Sequence, residues 1–204
     1  MNIQVEKAHY DFETYITKER FASYYYQLKY VEKLNPKSFL EIGGGIGFLR
    51  KLIPENIKYF NVDLSNDLTP NVIATVEQLP FKDNEFNLVG CFQVLEHLPF
   101  EKFAKLLDEL KRVSSKYVFI SLPYANHKIL FEICLPIFGT TTIKILIPKL
   151  YRSHEFDGQH YWEIGKKGYQ AKKIKGIIKN KFKITASFTP KENTYHTFFL
   201  LEKR

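Results

Sequence analysis

Residues 39–47 read Phe-Leu-Glu-Ile-Gly-Gly-Gly-Ile-Gly, an apolar run that contains one acid and continues into a cluster of glycines. Glycine has no Cβ, so such a run lets a strand turn sharply and lets its backbone approach a bound molecule closely. The dinucleotide pattern G-x-G-x-x-G, counted from Gly43, needs glycine at position 48, which is Phe48. The pattern E-x-G-x-G-x-G fits instead, and it predicts a turn that binds a nucleoside-like group.

A second short apolar run, residues 59–63, ends in the acid Asp63. A carboxylate at the end of a strand accepts hydrogen bonds from the hydroxyls of a ribose. The separation between Gly47 and Asp63 fits one βαβ unit, for which the apolar residues within 48–53 predict the crossover helix.

Three blocks of sequence resemble the class I S-adenosylmethionine-dependent methyltransferases, and within them the type 11 methyltransferase domain. The blocks are residues 40–47, the pair Val62-Asp63, and residues 76–98, which end in Gln-Val-Leu-Glu-His-Leu. The resemblance covers roughly residues 38–122. It implies an α/β, Rossmann-like, doubly wound sheet of seven strands, mostly parallel with an antiparallel last strand, and S-adenosyl-L-methionine as the cofactor.

The resemblance also implies how the methionine and ribose ends of this cofactor are held. Glu41 would organise the glycine turn and the methionine end, and Asp63 would bind the ribose hydroxyls. Gln93, at the end of the fourth strand, would lie near the reacting centre.

At the adenine end, the chain departs from the family. The family commonly has Asp where this chain has Thr75, so adenine recognition would use backbone groups at Val76 and Glu77, with Leu64 and Val76 flanking the base. The complete set of expected cofactor-binding residues is Glu41, Gly43, Gly44, Gly45, Gly47, Asp63, Leu64, Val76, Glu77 and Gln93.

The order of apolar segments predicts strands that alternate with helices and then a terminal hairpin. With 204 residues, 45% of them hydrophobic, the chain fits one domain with a substantial core. We expect an N-terminal helical cover over 1–36, a cofactor-binding half over 37–126, a substrate-side insertion over 127–165, and the last helix with the terminal hairpin over 166–204.

The insertion contains an apolar stretch, residues 129–150. Glu132, Lys144 and two prolines interrupt it, so it lacks the ~20 unbroken apolar residues of a membrane-spanning helix. Three interpretations stay open: a lid over an apolar substrate, a peripheral contact with a membrane surface, and a simple cap on the sheet.

Residues 152–163 form the second informative block, because two histidines, an acid and the single tryptophan lie within one short loop. Histidine is suited to remove a proton near neutral pH. We therefore expect His154 or His160 to act as the base or substrate clamp, with Asp157 orienting it and Trp162 contacting the substrate. The alternative is that these side chains only pack the loop in place and take no part in catalysis.

Two further expectations concern the same region. Tyr124, just after the fifth strand, is a candidate substrate contact. A metal site built from His154, Asp157 and His160 would lack a further ligand, so we expect no metal.

Charge and cysteine content constrain the environment and the partners. The net charge is +8, and all of the excess lies in residues 127–204. A lysine-coated helix face explains this asymmetry better than a nucleic-acid partner does. The two cysteines and the lack of a leader in the first residues predict a cytoplasmic protein.

The function expected from these observations is methyl transfer to a small-molecule or lipid-like acceptor, at oxygen. The alternatives are an RNA-directed methyltransferase that uses the basic helix, and a non-catalytic cofactor-binding or membrane-docked protein.

Overall fold

The computed structural model describes residues 10, 13, 15–135 and 139–204. The first helix, α1 (Lys18–Leu34), begins after Thr17, whose hydroxyl accepts a hydrogen bond from the Arg20 N–H at 3.3 Å. It ends at Asn35, which adopts a left-handed conformation with φ of 40°. This helix lies within the segment 1–36, for which the sequence analysis expects a helical cover.

The remaining helices and strands follow in an order that alternates through the first half of the chain. They are β1 (Ser38–Ile42), β2 (Lys58–Asp63), β3 (Val72–Ile73), β4 (Phe86–Phe92), α2 (Phe103–Val113), β5 (Ser114–Pro123), β6 (Asn126–Leu135), β7 (Gly139–Pro148), α3 (Ala171–Lys181), β8 (Phe182–Phe188) and β9 (His196–Lys203).

Seven of the strands form one sheet with the order β3-β2-β1-β4-β5-β9-β8. The pairs from β3 through β5 are parallel, whereas β9 runs antiparallel to both β5 and β8. The sequence prediction of an α/β, Rossmann-like, seven-stranded sheet with an antiparallel last strand is confirmed.

Both faces of the sheet are covered, which explains why its central strands are almost continuously apolar. One face packs on α2 and α3 around residues such as Leu107 and Ile178, and the other packs on α1 around Val31 and Phe39. Helix α3 buries Ile174 and Ile178, and its exposed positions are largely lysine, in agreement with the solvated-face interpretation of the basic residues.

The first crossover differs from its prediction. Residues 48–53 contain only a short 3₁₀ helix, Leu49–Lys51, in place of an α-helix. Leu52 leaves the helical register with φ of −115°, and Pro54 follows two residues later. The segment between the glycine turn and Pro54 is therefore too short to complete further α-helical turns.

The apolar stretch at 129–150 is a two-stranded antiparallel sheet, β6–β7, separate from the main one. It projects from the end of β5, and most of its side chains are exposed. Within the described part of the chain, no helix is long and apolar enough to cross a membrane.

Trp162 holds the loop of residues 152–163 against the main sheet. Its side chain is 0% exposed, its ring contacts Phe100 and Phe103 edge-on, and its indole N–H donates a hydrogen bond to the Leu98 carbonyl oxygen at 3.1 Å. The expectation that Trp162 contacts substrate was wrong, because a fully buried ring presents no face to a ligand.

We predict that Trp162→Ala lowers the free energy of unfolding by about 3–5 kcal/mol, because it removes a large buried ring and leaves a cavity. Denaturant unfolding followed by circular dichroism measures this change. The neighbouring Tyr161 is 38% exposed, so Tyr161→Ala is the control and should change stability by less than about 1 kcal/mol. Equal stability of the two variants would contradict the core role of Trp162.

Candidate active site

The site begins where two neighbouring parallel strands end. Ile42 of β1 pairs with Cys91 of β4, so the residues that follow these strands emerge side by side at one edge of the sheet. The glycine turn follows β1, and Gln93 follows β4. Gln93 has φ of 55°, and its side-chain amide donates a hydrogen bond to the Ser121 hydroxyl at 3.0 Å. A left-handed conformation at a non-glycine residue is strained, and such strain clusters at functional sites.

The glycine turn has a conformation that other residues adopt poorly. Gly43, Gly45 and Gly47 have φ between 52° and 71°. A Cβ on Gly43 would lie 2.3 Å from the Val94 side chain, and one on Gly45 would lie 2.8 Å from the Tyr10 ring. The turn is therefore packed closely against Val94 and Tyr10, and a side chain at Gly43 or Gly45 would collide with them.

Glu41 lies beneath this turn, at the end of β1. Its side chain is buried and accepts a hydrogen bond from the Tyr59 hydroxyl. Burial raises the pKa of Glu41 to about 7, against the opposing effect of that hydrogen bond, and the nearby charge of Asp63 raises it further. The carboxyl group thus exchanges its proton near neutral pH.

Asp63 ends β2 and ties two backbone segments together. One of its oxygens accepts the Gly45 N–H at 3.2 Å, and the other accepts the Ser65 N–H at 3.2 Å. Burial raises the pKa of Asp63 despite these hydrogen bonds. Leu64, the next residue, is half-buried. The carboxylate thus sits directly beside the glycine turn, as the sequence predicted.

Several groups of the expected adenine-binding residues already pack, form hydrogen bonds or form ion pairs within the protein. Val76 is buried in the main core, and the Glu77 N–H donates a hydrogen bond to the Thr75 hydroxyl at 3.1 Å. The Glu77 carboxylate pairs with Lys102 at 2.7 Å. Thr75 thus occupies the Glu77 backbone donor that the sequence analysis had assigned to adenine recognition.

A cavity of about 210 Å³ joins the glycine turn to the loop of residues 152–163. One wall comes from β1, β4 and the glycine turn, the second from α1 and the residues before it, and the third from the loop and the start of β9. The lining residues are Tyr10, Tyr15, Arg20, Ser23, Tyr24, Gln27, Glu41, Gly43, Gly44, Gly45, Phe92, Gln93, His97, Gln159, His160, Tyr195 and His196.

His160 is the centre of the polar cluster in this cavity. Its Nδ1 lies 3.4 Å from a Glu163 carboxylate oxygen and 3.3 Å from the Tyr195 hydroxyl, which itself donates to Glu163. The His97 ring meets the His160 ring edge-on, with 5.0 Å between the centroids. If Nδ1–H faces Glu163, Nε2 is the nitrogen that can accept a proton.

The charges around His160 favour its protonated form. Burial alone would lower its pKa, but the hydrogen bond with Glu163 and the negative charges of Glu96 and Asp157 raise it. Glu96 is itself 0% exposed, and neither of its oxygens has a hydrogen-bond partner among the described residues. Burial raises the pKa of Glu96 to about 7, although the positive charge of His160 opposes this.

His97 stays neutral beside this cluster. Burial lowers its pKa to about 4, and the charge of His160 lowers it further. Of the two rings, His160 is therefore the one whose pKa the surroundings raise, and it takes up a proton more readily than His97 does.

Two other residues of the loop have different roles from those expected. Asp157 accepts hydrogen bonds from the backbone N–H groups of Gln159 and His160, at 2.9 and 2.7 Å, so Glu163 is the residue that contacts the His160 ring. The His154 Nε2 lies 2.8 Å from the His160 carbonyl oxygen, and this ring does not line the cavity. Both side chains shape the loop.

Tyr124 also lies outside the cavity lining. It follows β5, its backbone N–H donates to the Tyr195 carbonyl oxygen at 2.6 Å, and its ring packs against the main core. Its contact with the site is indirect, through the backbone of Tyr195.

The metal ligands considered from the sequence are not brought together as one set. In the described part of the chain, two groups of three residues have possible ligand atoms within 4.8 Å of one another. The first group is Glu96, His97 and His160, and the second is Asp157, His160 and Glu163. His154 belongs to neither group.

Several cavity residues had no signal in the sequence. Arg20, Ser23 and Gln27 lie on one face of α1, while Tyr195 and His196 precede or begin β9. The Ser23 hydroxyl lies 2.9 Å from the His196 Nδ1 and accepts a hydrogen bond from the Asn193 amide at 3.0 Å. Only the folded chain joins these distant segments.

Comparison with known proteins places this geometry in a family. Residues 16–164 match the family model of a methyltransferase domain. An uncharacterised protein of Methanocaldococcus jannaschii is 33% identical in an alignment of 87 residues, which covers 39% of this chain and 37% of that protein. The match thus spans little more than a third of that relative.

Two solved structures share the fold at low sequence identity. The magnesium protoporphyrin IX methyltransferase from Synechocystis PCC 6803, with bound S-adenosylmethionine, has a TM-score of 0.60 at 14% identity, over 91% of this chain and 80% of that one. The 1,6-didemethyltoxoflavin-N1-methyltransferase of Burkholderia thailandensis has bound 1,6-didemethyltoxoflavin and S-adenosylhomocysteine. Its TM-score is 0.61 at 13% identity, over 94% of this chain and 81% of that one. Because the family model covers more than half of the chain, and its fold is the one described above, the protein belongs to the methyltransferase domain family.

Proposed function

We propose that the protein is an S-adenosylmethionine-dependent methyltransferase that transfers the methyl group to a small-molecule or lipid-like acceptor, at oxygen. The observation that carries this proposal is a single cavity lined at one end by Glu41 and the glycine turn and at the other by His160. A donor held at the first end and an acceptor held at the second would meet near Gln93.

The residues at the donor end fit S-adenosylmethionine. Gly43, Gly44 and Gly45 line the cavity at this end, and Asp63 sits beside the turn to receive the ribose hydroxyls. Arg20 is the single lysine or arginine among the described lining residues, and its guanidinium lies 3.7 Å from the centroid of the Tyr15 ring. We assign Arg20 to the carboxylate of the methionine part, because a guanidinium binds carboxylates in a bidentate manner.

Related folds support the same ligand. The Synechocystis neighbour holds S-adenosylmethionine, and the Burkholderia neighbour holds S-adenosylhomocysteine together with its small-molecule acceptor. The cavity is lined by residues of both ends, so donor and acceptor would be held next to each other in one site.

When bound, S-adenosylmethionine supplies an electrophilic methyl group on a sulfonium. The glycine turn, Asp63 and Arg20 would hold it so that an acceptor oxygen could displace the sulfonium sulfur in line from the methyl carbon, and this alignment would provide much of the acceleration. His160 Nε2 takes the proton from the acceptor hydroxyl. Glu163 and Tyr195 orient the ring, and the negative charges of Glu163 and Glu96 stabilise the imidazolium that forms.

The first prediction tests the donor end. Asp63→Asn should weaken binding of S-adenosylhomocysteine by about 1.5–3 kcal/mol, because it removes a charge-assisted pair of hydrogen bonds to the ribose. Isothermal titration calorimetry with the purified protein measures this, with NAD as a ligand that should not bind.

Asp108→Asn is the matched control, because Asp108 is an exposed carboxylate on α2 that pairs only with Lys181 in the described structure. It should bind S-adenosylhomocysteine like the unmodified protein. If Asp63→Asn binds S-adenosylhomocysteine as tightly as the unmodified protein does, Asp63 is not part of the donor site. If the unmodified protein does not bind S-adenosylhomocysteine, the proposed cofactor is wrong.

The second prediction tests the base. Glu163→Gln should lower the pKa of His160, because it removes a carboxylate that favours the imidazolium. NMR titration of the histidine ring protons measures this pKa, with His160→Gln identifying the signal. Since a base acts in its unprotonated form, the acidic limb of the rate profile should move to lower pH in Glu163→Gln.

Glu155→Gln removes a charge from the same loop, but Glu155 is exposed, and it should leave the His160 titration unchanged. Equal His160 pKa values in Glu163→Gln and the unmodified protein would contradict the orienting role of Glu163.

Transfer of labelled methyl groups into lipid and small-molecule extracts identifies the acceptor. Full activity of His160→Gln there would exclude His160 as the base, and cofactor binding with no transfer into any extract would indicate a non-catalytic protein.

A further inference from the structure

The β6–β7 hairpin has one face that is apolar over its central part, with His127 and Thr141 toward its two ends. The strand register pairs Ile129 with Ile145 and Phe131 with Ile143. Because paired residues share a face and faces alternate along a strand, every second residue of both strands lies on this side. We define the apolar face as Ile129, Phe131, Ile133, Ile143, Ile145 and Ile147.

This apolar face is open to solvent. The exposed fraction of its six side chains ranges from 42% to 55%. Monomeric soluble proteins rarely expose contiguous large aliphatic and aromatic side chains, and patches of this kind mark interaction sites. The face therefore needs a partner that removes it from water.

The opposite face of the hairpin already has its partner. Glu132 pairs with Lys191 at 2.8 Å, Lys191 also donates to the Thr142 hydroxyl at 2.9 Å, and the Lys144 amine donates to the Thr189 carbonyl oxygen. These polar contacts hold the hairpin against the turn between β8 and β9, so its apolar face points away from the protein.

The apolar face does not close over the active site. No described residue of β6 or β7 lines the cavity that holds His160 and the glycine turn. The lid interpretation requires a contact with this cavity that the described hairpin does not make.

The charges beside the hairpin indicate what covers it. Lys149 and Arg152 follow the hairpin directly, and Lys167 lies against this segment, where its N–H donates to the Arg152 carbonyl oxygen at 2.9 Å. None of these three side chains has an ion pair among the residues that the structure describes. Tyr151, 67% exposed, lies beside Arg152, with the guanidinium 5.5 Å from its ring centroid.

We propose that the apolar face docks the protein onto the surface of an anionic phospholipid bilayer. An apolar surface bordered by unpaired cations and an exposed tyrosine matches the acyl boundary and the negative headgroups of such a bilayer. A second copy of the chain is a poorer partner, because symmetric contact through this face would bring the two sets of cations together. The hairpin has two open strand edges, so it enters the interface and does not cross the membrane.

The position of the hairpin relates membrane docking to methyl transfer, and this relation rests on the proposed function. β6 begins two residues after Tyr124, whose N–H is bonded to the carbonyl oxygen of Tyr195 in the cavity wall. Docking through β6–β7 would thus place the acceptor end of the cavity near the bilayer, where a lipid-like acceptor resides.

Flotation with vesicles tests the proposal. The full chain should float with vesicles of phosphatidylcholine and phosphatidylglycerol, should float less with phosphatidylcholine alone, and should be released in part by added salt. The double variant Ile129→Thr/Ile143→Thr keeps β-branched side chains but loses apolar area, and its partition into the anionic vesicles should fall about tenfold or more.

The matched control is Leu52→Thr/Ile73→Thr, because these side chains are also about half exposed, at 48% and 56%, but lie outside the hairpin. It should partition like the unmodified protein. All variants should keep their affinity for S-adenosylhomocysteine, so a failure of docking is distinct from a failure of the proposed cofactor site.

Three results would overturn the proposal. The first is that the unmodified protein fails to float with anionic vesicles. The second is equal flotation of the hairpin variant and its control. The third is a concentration-dependent dimer in sedimentation velocity that the hairpin variant abolishes while vesicle binding stays nil, which would assign the face to a second copy.

Discussion

The parallel pairing of β1 with β4 is the constraint on which the site depends. Their carboxyl ends lie side by side, so the glycine turn after β1 and Gln93 after β4 meet at one edge of the sheet. Both segments use left-handed backbone conformations, and the Gln93 conformation is supported by two hydrogen bonds to Ser121 of β5. The rest of the cavity is assembled against this edge.

Buried carboxyl groups give the site its electrostatic character. Glu41 and Glu96 have pKa values of about 7, with burial as the main cause in each case. A carboxyl group without full solvation is costly when charged, and such groups concentrate at functional sites. Here Glu96 and Glu163 act on His160, so the titration of one ring depends on acids from two separate segments of the chain.

The two faces of the β6–β7 hairpin have different surroundings. Its polar face binds the turn before β9 through Lys191, whereas its apolar face is left in solvent. A one-residue change of register would exchange the two faces, so the pairing of Phe131 with Ile143 decides which surface is offered to a partner. The membrane contact that we propose would use this surface.

Local sequence patterns were enough to determine the fold family and the glycine turn, because apolar periodicity, glycine spacing and strand-ending acids are short-range signals. The same signals placed Glu41, Asp63 and Gln93 correctly at strand ends. They failed for the crossover after Gly47, where Pro54 cuts the helix short, and for Trp162, whose burial depends on α2. Tertiary structure alone decided that Glu163 contacts His160, and that α1 and β9 complete the cavity, because those contacts join segments far apart in the chain and no local pattern records them.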